Sequence, residues 1–192
     1  MVHARWATLQ LVGALLLLLA VLSACSSQSS FASASAAAAP ASGSSVLGRP
    51  SLSVAFLARV LAAYHSPASD AVQALYDDGV AVGVDPAYAL AFFLHESSMG
   101  TQGVARVTRS PGNLRCTAAY SCYEGYACFS TWADGFHAWY VLISGPVYAG
   151  AGLVTIEQII PRYAPATEND VQAYIQAVNL AVATWRSGRV LV

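Results

Sequence analysis

Downstream of Ser51 the apolar positions return every three or four residues, the spacing of one face of a helix. "SVAFLARVLAAYH" shows it with a serine in front and predicts the first helix. In "SPASDAVQALYDDGVAVG" Ser66 stands as an N-cap, Pro67 takes the first helical position and glycines close the far end, predicting a second. In "VDPAYALAFFLHESSMG" Asp85 caps and Pro86 opens a third helix, which runs to about Ser98 before Gly100 stops it. "STWADGFHAWYVLI" restarts a helix behind Ser130 or Thr131. "TIEQII" supplies a short one, and "TENDVQAYIQAVNLAVATWRSG" a long last one closed by Gly188. Between these, Gly112 to Phe129 is rich in Gly, Tyr and Cys without a helical period, and predicts a small β-hairpin lobe. The expected fold class is mainly α (α+β), as one domain over residues 51–192.

The pattern before Ser51 differs. The apolar run Leu9 to Leu22 follows a single strong cation, Arg5, and is shorter than the ~20 residues a spanning helix needs, so residues 1–24 read as an export signal. "LSAC", Leu22 to Cys25, resembles a bacterial lipobox, which implies cleavage before Cys25 and acylation of that residue. Several acyl chains on one residue hold a protein on a membrane far better than one. Residues 25–50 then read as the lipidated cysteine and a Ser/Ala-rich linker with little to bury. The expected location is outside the cytoplasmic membrane, anchored to it and facing the cell wall.

Composition narrows the function. The 192 residues are 56% apolar types and 10% charged, enough to build a packed domain. All nine basic residues are Arg, and the formal charge of −1 becomes −2 once Arg5 leaves with the signal. No basic field steers this chain onto nucleic acid, and a monomer is expected. Eight of the ten carboxylates have structural explanations. Asp85 is a cap, Asp70, Asp134, Glu157, Glu168 and Asp170 fall in first turns, and Asp77 and Asp78 sit where a helix is ending. Glu96 and Glu124 are left over. Glu96 follows Phe92 and Phe93 by four and three residues and so shares their helical face. A carboxyl in that setting keeps its proton towards neutral pH, as a general acid for a sugar leaving group requires.

"ALAFFLHESSMG", then "GNLRC", then "FSTWADGFHAWYVLI" and "IIPRYAPATENDVQAYI" resemble, in that order, the glucosaminidase branch of the lysozyme-like superfamily, over roughly Ser51 to Arg186. The resemblance implies cleavage of β-1,4 bonds in peptidoglycan glycan strands without a cofactor, by an endo-β-N-acetylglucosaminidase. Muramidase, lytic transglycosylase or a wall-binding protein without turnover are the alternatives. Glu96 takes the place of the family's catalytic acid, and Tyr163 that of a tyrosine lining the sugar cleft. Asn113 falls in the turn into the β-lobe and is assigned to substrate. Glu124, 28 residues after Glu96, matches a second carboxylate by region only. The transglycosylase "GAxGLMQ"-like segment is replaced here by "GTQGVARVTRSPGNLR".

Of the aromatics, Tyr126 and Trp132 are candidates to stack on sugar rings, whereas Trp139 is assigned to the core. His95 is a packing or surface histidine, since neighbours on a helix diverge by about 100°. Cys116, Cys122 and Cys128 do not have zinc-knuckle spacing, and no metal is expected. Three pairings are open to them. Cys116 with Cys122 is chosen because five intervening residues suit a hairpin loop.

Overall fold

Residues 44–192 are described by the structure, a computed structural model, and the expected signal segment, the lipidation site Cys25 and most of the linker lie outside them. Among the described residues seven α-helices span Val54–Ala63 (α1), Val72–Val82 (α2), Pro86–Ser97 (α3), Ala105–Thr108 (α4), Trp132–Ser144 (α5), Ile156–Tyr163 (α6) and Val171–Arg186 (α7). Strands Ser121–Tyr123 (β1) and Tyr126–Cys128 (β2) form one antiparallel pair. The fold is mainly α with a small β-hairpin, as the pattern predicts.

Capping sets most boundaries. Ser53 accepts from the Phe56 amide to start α1, Thr131 and Asp134 form a reciprocal capping box on α5, and Asp170 caps α7. Asp85 caps α3 through the Ala87 amide and also accepts from Arg186 at the end of α7, at 2.9 Å. That buried carboxylate therefore ties the two helices on which the site stands. Every residue from Pro86 to Phe93 is buried, because α3 runs through the middle of the molecule against α7. Around it close Trp139 and Tyr140 of α5, Ile159 and Ile160 of α6, and Val178 and Trp185 of α7.

Three expectations change. Ser66 does not cap a helix at Pro67: its buried hydroxyl accepts from Ala68 N and donates to Met99 O, a 3-10 turn follows at Ser69–Ala71, and α2 begins only at Val72. Consequently Asp77 and Asp78 lie inside α2, not at its end. The last residues of the expected linker belong to the domain. Val46 is fully buried, its amide donates to Val154 O, and its carbonyl accepts from Asp85 N. Two adjacent apolar residues, Val46 and Leu47, in a Ser/Gly context give no period to read, so the composition hid this contact.

The Cys116–Cys122 disulfide is present, but its loop is not the hairpin turn. That turn is Glu124–Gly125, with φ of 49° and 82°, the positive pair a two-residue turn between strands demands. The disulfide instead closes the approach to β1, beside a backbone run in which Ala127 N donates to Leu114 O and Cys116 N to Gly125 O. A short closed loop is worth about 2 kcal/mol on chain-entropy grounds. Cys116→Ser/Cys122→Ser is accordingly expected to lower unfolding stability by about that amount in a urea titration. An unchanged midpoint would show that the bridge restrains nothing.

Candidate active site

Glu96 stands on the last turn of α3, one turn beyond Phe92, and its geometry follows from that spacing. Phe92 is the hub of an aromatic floor, with ring centroids 5.2 Å from Trp139, 5.2 Å from Tyr163 and 5.6 Å from Tyr174. The carboxyl therefore emerges from an apolar surface. One side of it opens into a cleft of about 740 Å³ whose lining includes Asn113, Arg115, Tyr126, Tyr148, Arg162, Tyr163 and Glu168.

Two neutral donors hold the carboxyl. Tyr174, from α7, donates its hydroxyl to Oε1 at 2.7 Å, and Asn113 donates Nδ2 to Oε2 at 3.1 Å and to the Glu96 carbonyl at 2.8 Å. Each oxygen keeps a second lone pair for a proton. Burial raises the Glu96 pKa above its ordinary value, and it outweighs the Tyr174 bond, the Asn113 bond and the positive charge of Arg115, all of which lower it. The Tyr174 phenol, itself buried beside this carboxyl, is pushed well above its usual range and remains a donor. His95 stacks on the Tyr174 ring at 3.7 Å, so this histidine braces the phenol and is not one of the cleft residues.

The segment carrying Asn113 is pinned to α3. Ser97 donates its hydroxyl to Pro111 O at 2.8 Å, and Leu114 N donates to Ser110 Oγ at 2.9 Å. Asn113 itself adopts φ 48°, a left-handed conformation asparagine tolerates. Tyr163 closes the far side by donating its hydroxyl to Gly112 O.

Arg115 spans the mouth. Its guanidinium lies 4.9 Å from the Tyr126 ring centre and 3.3 Å from Glu168, which sits in the loop between α6 and α7. Both partners of this ion pair are about two-thirds exposed (68% and 65%), so the pair orients side chains more than it stabilises the fold.

Four of the six expected catalytic or sugar-contacting residues, Glu96, Asn113, Tyr126 and Tyr163, meet in this cleft. Asn113 differs from expectation in that its amide nitrogen is engaged by Glu96. Glu124 is absent from the lining: it occupies the exposed hairpin turn, where the turn geometry and not the cleft dictates its place. Trp132 is elsewhere too, its ring against Gly100. The second carboxylate of the cleft is Glu168, read from sequence as a first-turn anion although α7 starts three residues later. Sequence reasoning also passed over Tyr174. It belongs to the buried stripe Tyr174, Ile175, Val178, Ala181 and Val182, and a hydroxyl there needs a partner, which was the available signal. Among the described residues no three His, Cys, Asp or Glu side chains gather as metal ligands.

Tyr174→Phe removes a bond that favours the charged form of Glu96, so the carboxyl pKa should rise further and the neutral acid persist to higher pH. The alkaline limb of any activity requiring that acid is expected to move up in a pH–rate profile. A limb that stays put or moves down would separate the limb from Glu96. Comparison of the chain with family models, curated proteins and solved structures finds no match.

Proposed function

We propose that this domain is a lysozyme-like glycoside hydrolase that cuts β-1,4 bonds in peptidoglycan glycan strands, with Glu96 as the general acid. The observation that carries the reading is a mostly buried carboxyl held by two neutral donors at the floor of an open cleft, a setting in which burial raises its pKa. In the reaction Glu96 gives its proton to the glycosidic oxygen as the bond to the anomeric carbon breaks, and positive charge develops on the sugar ring. Arg115 and the Tyr126 ring stand at the cleft mouth, where a sugar chain would enter. Endo-β-N-acetylglucosaminidase activity is the first choice, following the order of sequence segments that resemble that branch. Export and a lipid anchor at Cys25 complete the proposal. A disulfide suits an oxidising compartment, and detergent partitioning of wild type against Cys25→Ser tests the anchor.

One observation favours a second reading within the same chemistry. Glu124 lies outside the cleft, and Glu168 is exposed and paired with Arg115, so Glu96 has no buried carboxylate beside it to direct a water. The substrate then supplies the second group itself, either its acetamido oxygen or, in a transglycosylase, the exocyclic hydroxymethyl oxygen of the same sugar, which bonds to the anomeric carbon as the glycosidic bond breaks and closes an anhydro ring. Mass spectrometry of fragments released from purified sacculi separates these outcomes. A reducing N-acetylglucosamine end is expected, an anhydro end identifies transglycosylation, and binding without released fragments overturns the enzyme assignment in favour of a wall-binding protein.

A further inference from the structure

A second groove, of about 400 Å³, shares no lining residue with the Glu96 cleft. Its walls come from the turn after α1 (His65, Pro67), the turn after α3 (Gly100, Thr101), α4 and its C-cap (Arg106, Arg109) and the first residue of α5 (Trp132). These walls are tied together from behind. Ser66 Oγ donates to Met99 O at 2.7 Å, joining the first two turns, and Phe129 N donates to Thr108 O at 2.8 Å, joining α4 to the approach of α5. Trp132 is fixed in place by contact with Gly100, where a Cβ would fall 2.7 Å from the indole ring.

The chemistry of the groove is one-sided. Residues 44–192 carry ten acidic side chains and eight arginines, a net −2, yet no acid lines this groove and two of the arginines do. Among the described residues neither Arg106 nor Arg109 forms an ion pair, and the one hydrogen bond of the Arg109 side chain is a long one, 3.4 Å to Phe129 O. Two arginines without an anionic partner among the described residues thus line a groove with an aromatic wall, in a domain whose net charge is negative. One fork engages both oxygens and the single charge of a carboxylate, leaving only their second lone pairs for another donor. A phosphate has enough oxygens for both, and the groove has room for the group esterified to it.

We propose that this groove binds a phosphate ester, with Arg106 and Arg109 holding the phosphate and Trp132 packing against the attached group. The inference is independent of the glycosidase reading, because the groove and the cleft are lined by different residues. The test is isothermal titration of the purified protein with inorganic phosphate, glycerol phosphate and acetate at constant ionic strength, together with co-sedimentation with phosphatidylglycerol and phosphatidylcholine vesicles. Glycerol phosphate should bind more tightly than inorganic phosphate, and acetate should not compete. Each Arg→Ala change should weaken binding about tenfold or more, from the usual strength of hydrogen bonds to charged groups. Arg106→Lys/Arg109→Lys, which keeps charge but loses the forks, should recover only part of it. Arginine-dependent sedimentation with phosphatidylglycerol alone identifies a lipid headgroup as the source. Binding of glycerol phosphate without vesicle binding identifies a soluble or polymer-borne ester, and either result supports the site. No saturable phosphate binding, binding unaffected by Arg106→Ala/Arg109→Ala, or equal binding of acetate would overturn it. Sacculus digestion by the double alanine variant should equal that of wild type, which distinguishes a failure here from a failure of the enzyme assignment.

Discussion

Glu96→Gln is expected to leave a folded protein whose turnover of sacculi has fallen by about 10² to 10⁴, the usual worth of a general acid. Gln keeps the shape: its oxygen accepts from Asn113 and its amide nitrogen donates to the Tyr174 oxygen, which reverses that bond and leaves the phenolic proton without this acceptor. The acidic proton is lost. Relative to wild type, the stability of this variant should improve as pH rises. The sign follows from linkage. Glu96 in the folded state has a pKa above the ordinary glutamate value of 4.5, so its contribution to stability is fully present below that value and is lost as pH rises through the folded pKa. Gln does not ionise and escapes that loss. The stability of the variant relative to wild type should therefore be constant below about pH 4, where both states of wild type hold the proton, and increase above it. Digestion within tenfold of wild type by a folded Glu96→Gln would remove this residue from the chemistry.

Gly135→Ala is expected to cost about 2 to 3 kcal/mol, the range of overpacking in a close-packed interior. The direction is informative, because glycine to alanine inside a helix is ordinarily stabilising by up to about 1 kcal/mol. Gly135 lies in the first turns of α5, and a Cβ there would fall 2.0 Å from the carbonyl oxygen of Arg109. The neighbour is backbone and cannot rotate aside. Relief requires α5 to move away from the Arg109–Pro111 segment, which leads directly into Asn113, so activity should fall together with the urea midpoint. Gly48→Ala, which meets nothing within 4 Å, is the matched control and should stay within about 0.5 kcal/mol of wild type. A Gly135→Ala protein as stable as wild type would contradict the close approach of these two segments.

Helices α1, α3, α5, α6 and α7 were legible because caps and apolar spacing agree there, and Asp85 before Pro86 illustrates it. Glu96 was legible for the same reason, since its distance from Phe92 along the chain is also its place on the floor of the cleft. What escaped was set by contacts remote in sequence. Tyr174 reaches Glu96 across 78 residues, and Arg115 reaches Glu168 across 53, and no local pattern marks either pair. α6 reads as ending at Ile160, yet it continues through Pro161 to Tyr163, because Ile159 and Ile160 are buried and Tyr163 is anchored on Gly112. Glu124 shows the opposite error. Its position in the hairpin was read from sequence, but a turn residue with positive φ is placed by the strands it joins and not by the cleft.

NMR titration of the Glu96 side-chain carboxyl carbon, set beside the pH dependence of sacculus digestion, bears most directly on this residue as an acid. Glu96 is expected to titrate above the ordinary glutamate value, with activity falling through the same midpoint. Both midpoints should move up together in Tyr174→Phe. A Glu96 that titrates at or below the ordinary value, or an alkaline limb that does not follow it, would contradict the assignment of Glu96 as the general acid.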